Sequence, residues 1–176
     1  MERSSYYTSH VSTALILFLA LCAGTMLLVG CGGGGSGGGG GTPGVRAWVE
    51  TEPVTPGGTG SASLMISDPS GVAGLDLDLA FDPNLLSLSE VSMTMLTSDF
   101  TMAYNAQTDG SLTVSMARAS GLTGGTGAQA LLEMEFAVDQ SAQPGTSIPL
   151  LVALGVYNEV PSPLSVQVED GEITFQ

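Results

Sequence analysis

The chain has 176 residues and a formal net charge of −14, with 17 acidic residues against three arginines and no lysine. Nucleic acids and anionic lipid surfaces are bound by clustered cations, so this composition argues against both as partners. The acidity is typical of a soluble domain, and it leaves open a basic partner or bound calcium.

The first 31 residues have the pattern of an exported bacterial protein. An apolar run from Val11 to Val29 fits the hydrophobic region of a signal peptide or a short membrane-spanning helix. The residues at the end of this run, Leu28-Val29-Gly30-Cys31, resemble the lipobox of bacterial lipoproteins. The resemblance implies that residues 1–30 are a lipoprotein signal peptide and that Cys31 is lipidated and becomes the mature N-terminus. The alternative is an uncleaved signal anchor, in which Cys31 has no special role.

The lipobox also predicts a location. A lipid on Cys31 would hold the chain in the bacterial cell envelope, with the membrane contacted through the lipid anchor only and the domain outside the cytoplasm. Gly32 replaces the Asp of the enterobacterial sorting rule, which by resemblance implies the outer membrane or the cell surface. Residues 31–44 are nearly all glycine after the cysteine, and we expect a flexible tether because glycine has no side chain to bury. Cys22 lies within the signal peptide, so no disulfide is expected in the mature chain.

Residues 45–176 are predicted to form one all-β domain. Apolar and polar residues alternate with a period of two in several short segments, which places the apolar residues of each segment on one face. Turn signals such as Asp82-Pro83-Asn84 and Asp109-Gly110 separate the segments. Seven or more short strands with this spacing indicate a β-sandwich. The apolar rows are Leu75, Leu77, Leu79 and Phe81; Leu112, Val114 and Met116; Leu132, Met134, Phe136 and Val138; Ile148, Leu150, Val152, Leu154 and Val156; and Leu164, Val166 and Val168.

Several of these segments, taken in order, resemble cohesin domains. Residues 71–86 (GVAGLDLDLAFDPNLL) resemble the third strand of that family and its following Asp-Pro-Asn turn. Residues 109–121, 132–138 and 170–173 resemble its sixth strand, its late core strand and its closing turn and strand. The match extends over essentially all of residues 45–176. It implies a nine-stranded jelly-roll β-sandwich, a fold that cohesins share with certain carbohydrate-binding modules.

The resemblance also implies a function. Cohesins bind dockerins, which are small calcium-loaded modules of secreted glycoside hydrolases, on the outer face of a sheet that contains the third and sixth strands. The implied contacts here are Asp76, Asp78, Thr113, Ser115 and Arg118, with Asp76 at a position where dockerin-binding cohesins commonly carry an interfacial Asp. No cofactor is implied for this chain, since the calcium belongs to the partner. An exposed Asp pair that is merely solvated is the alternative interpretation of Asp76 and Asp78.

Three residues depart from the family pattern on this face. Gly74 stands where an interfacial Asn is frequent, and Arg118 stands where an acid is frequent. Ser115 removes an expected apolar contact. The sequence therefore predicts the fold more firmly than the identity of the bound protein.

Catalysis and direct carbohydrate binding are the competing functions. The mature chain has no His, no Lys and no thiol other than Cys31, which removes most bases, nucleophiles and zinc ligands. Carboxylates on a flat strand face lack the cleft that raises the pKa of an acid catalyst, so we expect a protein that is not an enzyme. Carbohydrate would be bound through Trp48, Tyr104 and Tyr157, the aromatic residues suited to stacking on sugars. Calcium on the Asp-rich turns stays open, although no EF-hand loop pattern or other metal motif is present.

Overall fold

The computed structural model describes residues 44–125, 127–159 and 162–176, and the expected signal peptide, lipidated Cys31 and tether lie outside the described residues, apart from Gly44. The described part is all β, as predicted. In this part of the chain no helix is long and apolar enough to cross a membrane. The strands are β1 Val45–Thr51, β2 Thr59–Ile66, β3 Gly74–Ala80, β4 Leu86–Met93, β5 Thr101–Ala106, β6 Ser111–Ala117, β7 Gln129–Val138, β8 Ser147–Tyr157, β9 Val166–Glu169 and β10 Gly171–Thr174.

The strands form two five-stranded sheets. One sheet has the order β4-β7-β2-β1-β9 and the other has the order β10-β8-β3-β6-β5. All neighbours are antiparallel except β1 and β9, which are parallel. The predicted jelly-roll β-sandwich is confirmed, with β3 and β6 adjacent in one sheet as the cohesin resemblance implies.

The period-two rows produce the core between the sheets. Leu75, Leu77 and Leu79 of β3 are buried, whereas Asp76 and Asp78 between them are exposed. The apolar rows of β6 and β7 are buried in the same way and join one hydrophobic cluster with β3. Burying one apolar face per sheet supplies the main driving force for this fold. The described residues contain no cysteine, so no disulfide among them adds to the stability.

The strand count is ten, one more than the nine implied by the resemblance. Asp170 divides the C-terminal segment into β9, which pairs with β1, and β10, which pairs with β8 in the other sheet. At this crossing the Asp170 carboxylate accepts a hydrogen bond from the backbone N–H of Val152 at 2.7 Å. The side chain thus satisfies a strand amide at the point where the backbone changes sheets.

The predicted Asp-containing turns are stabilised by hydrogen bonds within the turns themselves. Asp68, Asp82, Asp109 and Asp139 each accept a hydrogen bond from the backbone N–H two residues later, at 2.8–3.1 Å. In three of them the bonded serine holds the aspartate pKa below its ordinary value of 3.8: chiefly through the backbone amide of Ser70 at Asp68, and chiefly through the serine hydroxyl at Asp109 and Asp139. Gly110 has a φ of 83°, which favours glycine, and a Cβ there would lie 2.2 Å from the Phe81 carbonyl oxygen.

Candidate partner-binding face

The outer surface of the β10-β8-β3-β6-β5 sheet brings most of the predicted contact residues together. Residues directly opposite one another on antiparallel strands point to the same side, so the strand register fixes which side chains face outward. We call this surface the Asp76 face. Its outward side chains are Asp76, Asp78 and Ala80 of β3, Thr113, Ser115 and Ala117 of β6, Thr101, Ala103 and Asn105 of β5, and Leu151, Ala153 and Tyr157 of β8.

Four of the five predicted contacts form two hydrogen-bonded pairs across β3 and β6. Ser115 Oγ donates to Asp76 Oδ1 at 2.7 Å, and Thr113 Oγ1 donates to Asp78 Oδ1 at 2.8 Å. Each carboxylate is thereby oriented, while its second oxygen accepts no hydrogen bond from the described residues. These two aspartates therefore present a positioned acceptor to a partner, because their side chains are exposed. Their role in binding stays a prediction.

Arg118, the fifth predicted contact, lies at the rim of the Asp76 face and is already engaged. Its Nη2 atom lies 3.1 Å from Asp99 Oδ2, and its guanidinium carbon lies 5.5 Å from the centre of the Phe100 ring. The side chain is only 20% exposed. Arg118 thus ties the end of β6 to the segment before β5, and its positive charge is largely compensated by Asp99.

Leu151 and Tyr157 are two large side chains of the face that were not among the predicted protein contacts. Leu151 is 54% exposed and lies opposite Ala80, beside Asp78. Tyr157 was assigned only to carbohydrate binding, yet the structure places it on the same face as Asp76. The sequence feature that predicts Leu151 on this face is alternation: it follows the buried Leu150 on β8, so its side chain points outward.

A shallow depression of about 500 Å³ lies at the end of the Asp76 face nearest Arg118. Its lining residues include Gly74, Asp76, Ser115, Tyr157 and Glu159. Ala103 and Ala117 add small apolar side chains to it. The face is therefore flat but not featureless, with a mixed apolar and acidic hollow at one end.

The three aromatic residues expected to stack on sugars do not form one row. Trp48 lies on β1, on the outer surface of the other sheet, half-buried with the Arg46 guanidinium carbon 5.6 Å from its ring centre. Tyr104 lies on β5 opposite the inward-pointing Val114 and is 52% exposed at the sheet edge. Only Tyr157 lies on the Asp76 face. A planar polysaccharide thus has no shared aromatic platform here.

Residues 44–125, 127–159 and 162–176 hold no group of three His, Cys, Asp or Glu side chains placed to bind a metal ion. The carboxylate pairs Asp76 with Asp78 and Glu133 with Glu135 lie on exposed strand faces. The Asp76 face itself offers hydrogen-bond acceptors, negative charge and apolar side chains.

Comparison with known proteins gives the family. The sequence model of the Cohesin domain matches residues 49–175. No curated protein matches the chain.

Solved structures of cohesins are similar in fold. A non-cellulosomal cohesin from the archaeon Archaeoglobus fulgidus has a TM-score of 0.65 at 18% identity, covering 76% of this chain and 91% of that one. The sixth cohesin of scaffoldin B from Acetivibrio cellulolyticus, solved in complex with a Cel5 dockerin mutant, has a TM-score of 0.65 at 15% identity over 76% of this chain and 99% of its own. The OlpA cohesin of Clostridium thermocellum, solved in a type I complex with the dockerin Doc918, has a TM-score of 0.66 at 11% identity, with coverages of 76% and 99%.

Proposed function

The chain belongs to the cohesin family, and from that membership we propose that it is a surface lipoprotein whose domain binds the dockerin module of a secreted protein. Cohesin domains are non-catalytic binding modules, and two of the similar structures named above are cohesin–dockerin complexes. We extend both properties to this protein. The secreted partner would be, by family resemblance, a protein that degrades polysaccharide.

The observation that carries the proposal is the composition of the Asp76 face. Asp76 and Asp78 are exposed and oriented by hydroxyl donors, so they can accept hydrogen bonds from a partner without further ordering. Leu151 adds an exposed apolar side chain beside them, and such a group contributes to affinity when a partner covers it. A flat sheet surface of this kind suits a helical module better than a small molecule.

Anchoring is a second part of the proposal and rests on the sequence alone. Leu28-Val29-Gly30-Cys31 supports lipidation of Cys31, and the glycines up to Gly44 support a tether between lipid and domain. In this arrangement the domain stays close to the cell envelope and captures its partner outside the cytoplasm.

Direct carbohydrate binding is the weaker candidate. Trp48, Tyr104 and Tyr157 lie in three separate settings, and Trp48 belongs to the other sheet. No observation on the described residues favours a sugar over a protein at the Asp76 face.

The test of dockerin binding uses the full chain in mild detergent, immobilised and exposed to the culture supernatant of the source organism with calcium present. We expect capture of a protein that carries a dockerin module, and release when calcium is chelated, because the calcium is expected on the partner. The captured dockerin module is then purified and titrated against variants. Asp76→Lys should weaken binding by roughly a hundredfold, since it removes an acceptor and places a cation in the face.

The matched control is Glu133→Lys on β7. Glu133 is exposed, acidic and flanked by Ser63 and Ser92 on neighbouring strands, so the charge change is the same on the opposite surface. Unchanged affinity for Asp76→Lys, or equal losses for both variants, would contradict the assignment of the face. Capture of polysaccharide alone would move the protein to the carbohydrate-binding class.

Anchoring is tested separately with Cys31→Ser. We expect this variant to leave the membrane fraction, while its affinity for the dockerin module in solution is unchanged. A Cys31→Ser protein that still sediments with membranes would favour the uncleaved signal anchor.

A further inference from the structure

Gly74 of β3 lines the depression on the Asp76 face, and Gly155 on the adjacent strand β8 lies beneath the Tyr157 side chain that also lines it. Gly74 of β3 and Gly155 of β8 both occupy outward positions in the strand register, where the other residues of the face carry side chains. A Cβ at Gly155 would lie 2.8 Å from the Tyr157 hydroxyl oxygen, so the Tyr157 side chain lies directly over the glycine. A Cβ at Gly74 would lie 3.1 Å from the Met116 carbonyl oxygen, which is tighter than ordinary packing. The hollow is thus a built feature of the strand surface.

The lining combines an apolar floor with acidic groups at the rim. The Tyr157 ring, Ala103 and Ala117 supply the apolar part. Asp76 contributes a carboxylate whose Oδ1 atom is oriented by Ser115. Glu159 contributes a second carboxylate, held by a 2.8 Å hydrogen bond from the backbone N–H of Gly121 to Oε1.

The acidic rim has no spare cation of its own. Among the described residues the only basic side chains are Arg46 and Arg118, and each already pairs with an acid. Arg118 lines the depression but is bound to Asp99 at 3.1 Å. The charge of Asp76 and Glu159 is therefore left for a partner to neutralise.

We propose that this depression is a pocket for one basic side chain, arginine in preference to lysine, of the bound partner; the proposal rests on the proposed function and names the chemistry at one point of the interface. An arginine has an apolar stem that suits the floor and a planar guanidinium that stacks on Tyr157 and pairs with Asp76. A purely apolar side chain would leave the Asp76 carboxylate covered and unpaired, which is unfavourable. The pocket thereby contributes to partner specificity.

The test uses the full chain and a small probe, so that it does not depend on any dockerin. N-acetyl-arginine-N-methylamide is titrated while NMR signals of Tyr157, Gly155 and Ser115 are followed. The citrulline counterpart, a neutral molecule of nearly the same shape, serves as the control ligand. We expect saturable shifts with the arginine probe in the millimolar range and none with the citrulline probe.

Two variants localise the probe. Asp76→Asn should weaken binding of the arginine probe by roughly tenfold, because it removes the charge and keeps the shape. Gly155→Ala should abolish the shifts by displacing Tyr157 without changing any charge. Glu133→Gln on β7 removes a carboxylate from the opposite surface and should leave the titration unchanged.

Equal shifts with the citrulline probe, or full binding by Gly155→Ala, would overturn the pocket. Shifts at the same residues with cellohexaose but not with the arginine probe would also overturn it, in favour of a sugar subsite. The two proposals fail independently. Dockerin capture without arginine-probe binding refutes only the pocket, whereas arginine-probe binding without dockerin capture refutes only the dockerin assignment.

Discussion

The two outer surfaces of the sandwich carry similar polar chemistry but differ in the exposure of their large apolar side chains and in shape. The outer surface of the β4-β7-β2-β1-β9 sheet, which we call the Glu133 face, also combines acids with hydroxyls: Glu50, Ser63, Glu133 and Ser92 form one cross-strand row. Its large aromatic residue, Trp48, is half-buried beside Arg46. The Asp76 face instead exposes Leu151 and has a hollow beside Tyr157. Charge alone therefore does not distinguish the two faces of so acidic a chain; the exposed Leu151 beside oriented acceptors on the Asp76 face does.

Substitution of Leu151 tests the difference between the two faces most directly. Leu151→Asp should weaken binding of the captured dockerin module by roughly tenfold or more, because it replaces the apolar contact with a desolvated charge. Ser63→Asp on the Glu133 face adds the same charge and should leave the affinity unchanged. Isothermal titration calorimetry measures both. If Leu151→Asp binds as tightly as the native chain, the apolar content of the Asp76 face has no bearing on recognition.

The sequence predicts features of each face that depend on neighbouring residues in one strand, but not those that depend on which strands pair. Parity within one strand is a local property, so the outward positions of Asp76, Asp78, Thr113 and Ser115 were predictable. Which strands are neighbours is not local, and the sequence alone did not connect Tyr157 of β8 to Asp76 of β3. Without the pairing of β8 with β3, the sequence indicated only a sugar-binding role for Tyr157.

Arg118 illustrates the same limit. Its position after β6 indicated the rim of the face, but its ion pair with Asp99 and its contact with Phe100 depend on how the segment before β5 folds back. The Asp170 crossing is similar, because a turn was predictable there and the change of sheet was not. In both cases tertiary packing decided what the local pattern left open.

The two arginines of the described residues, Arg46 and Arg118, allow a matched comparison between the faces. Each lies near an aromatic ring and pairs with an acid, but Arg118 is 20% exposed whereas Arg46, paired with Glu169 at 3.3 Å, is 53% exposed. Arg118→Ala should lower the free energy of unfolding by about 1–2 kcal/mol, and Arg46→Ala by about 0.5 kcal/mol, since solvent screens the exposed pair more. Urea unfolding of the full chain measures both values. Equal losses would mean that burial of the Arg118 side chain adds nothing to the strength of its pair with Asp99.

The smallest expected effect concerns the Asp-containing turns, which link the strands of both faces. The folded-state pKa values of Asp68, Asp109 and Asp139 lie below the ordinary 3.8, so the folded protein holds these protons less tightly than the unfolded chain. Their stabilisation is therefore fully present above pH 3.8 and is lost as the pH falls through the lowered folded-state values. Asp139→Asn should make the free energy of unfolding depend less steeply on pH below that value. An unchanged slope would show that the hydrogen bonds of Ser141 do not affect the titration of Asp139.

The central claim, that the partner covers the Asp76 face and not the Glu133 face, is tested most directly by hydroxyl-radical footprinting of the full chain with and without the captured dockerin module. Both faces carry oxidisable side chains: Leu151 and Tyr157 on the Asp76 face, Trp48 and Met65 on the Glu133 face. We predict that oxidation of Leu151 and Tyr157 falls in the complex while that of Trp48 and Met65 stays the same. Protection of Trp48 and Met65, with Leu151 and Tyr157 still oxidised, would contradict the claim.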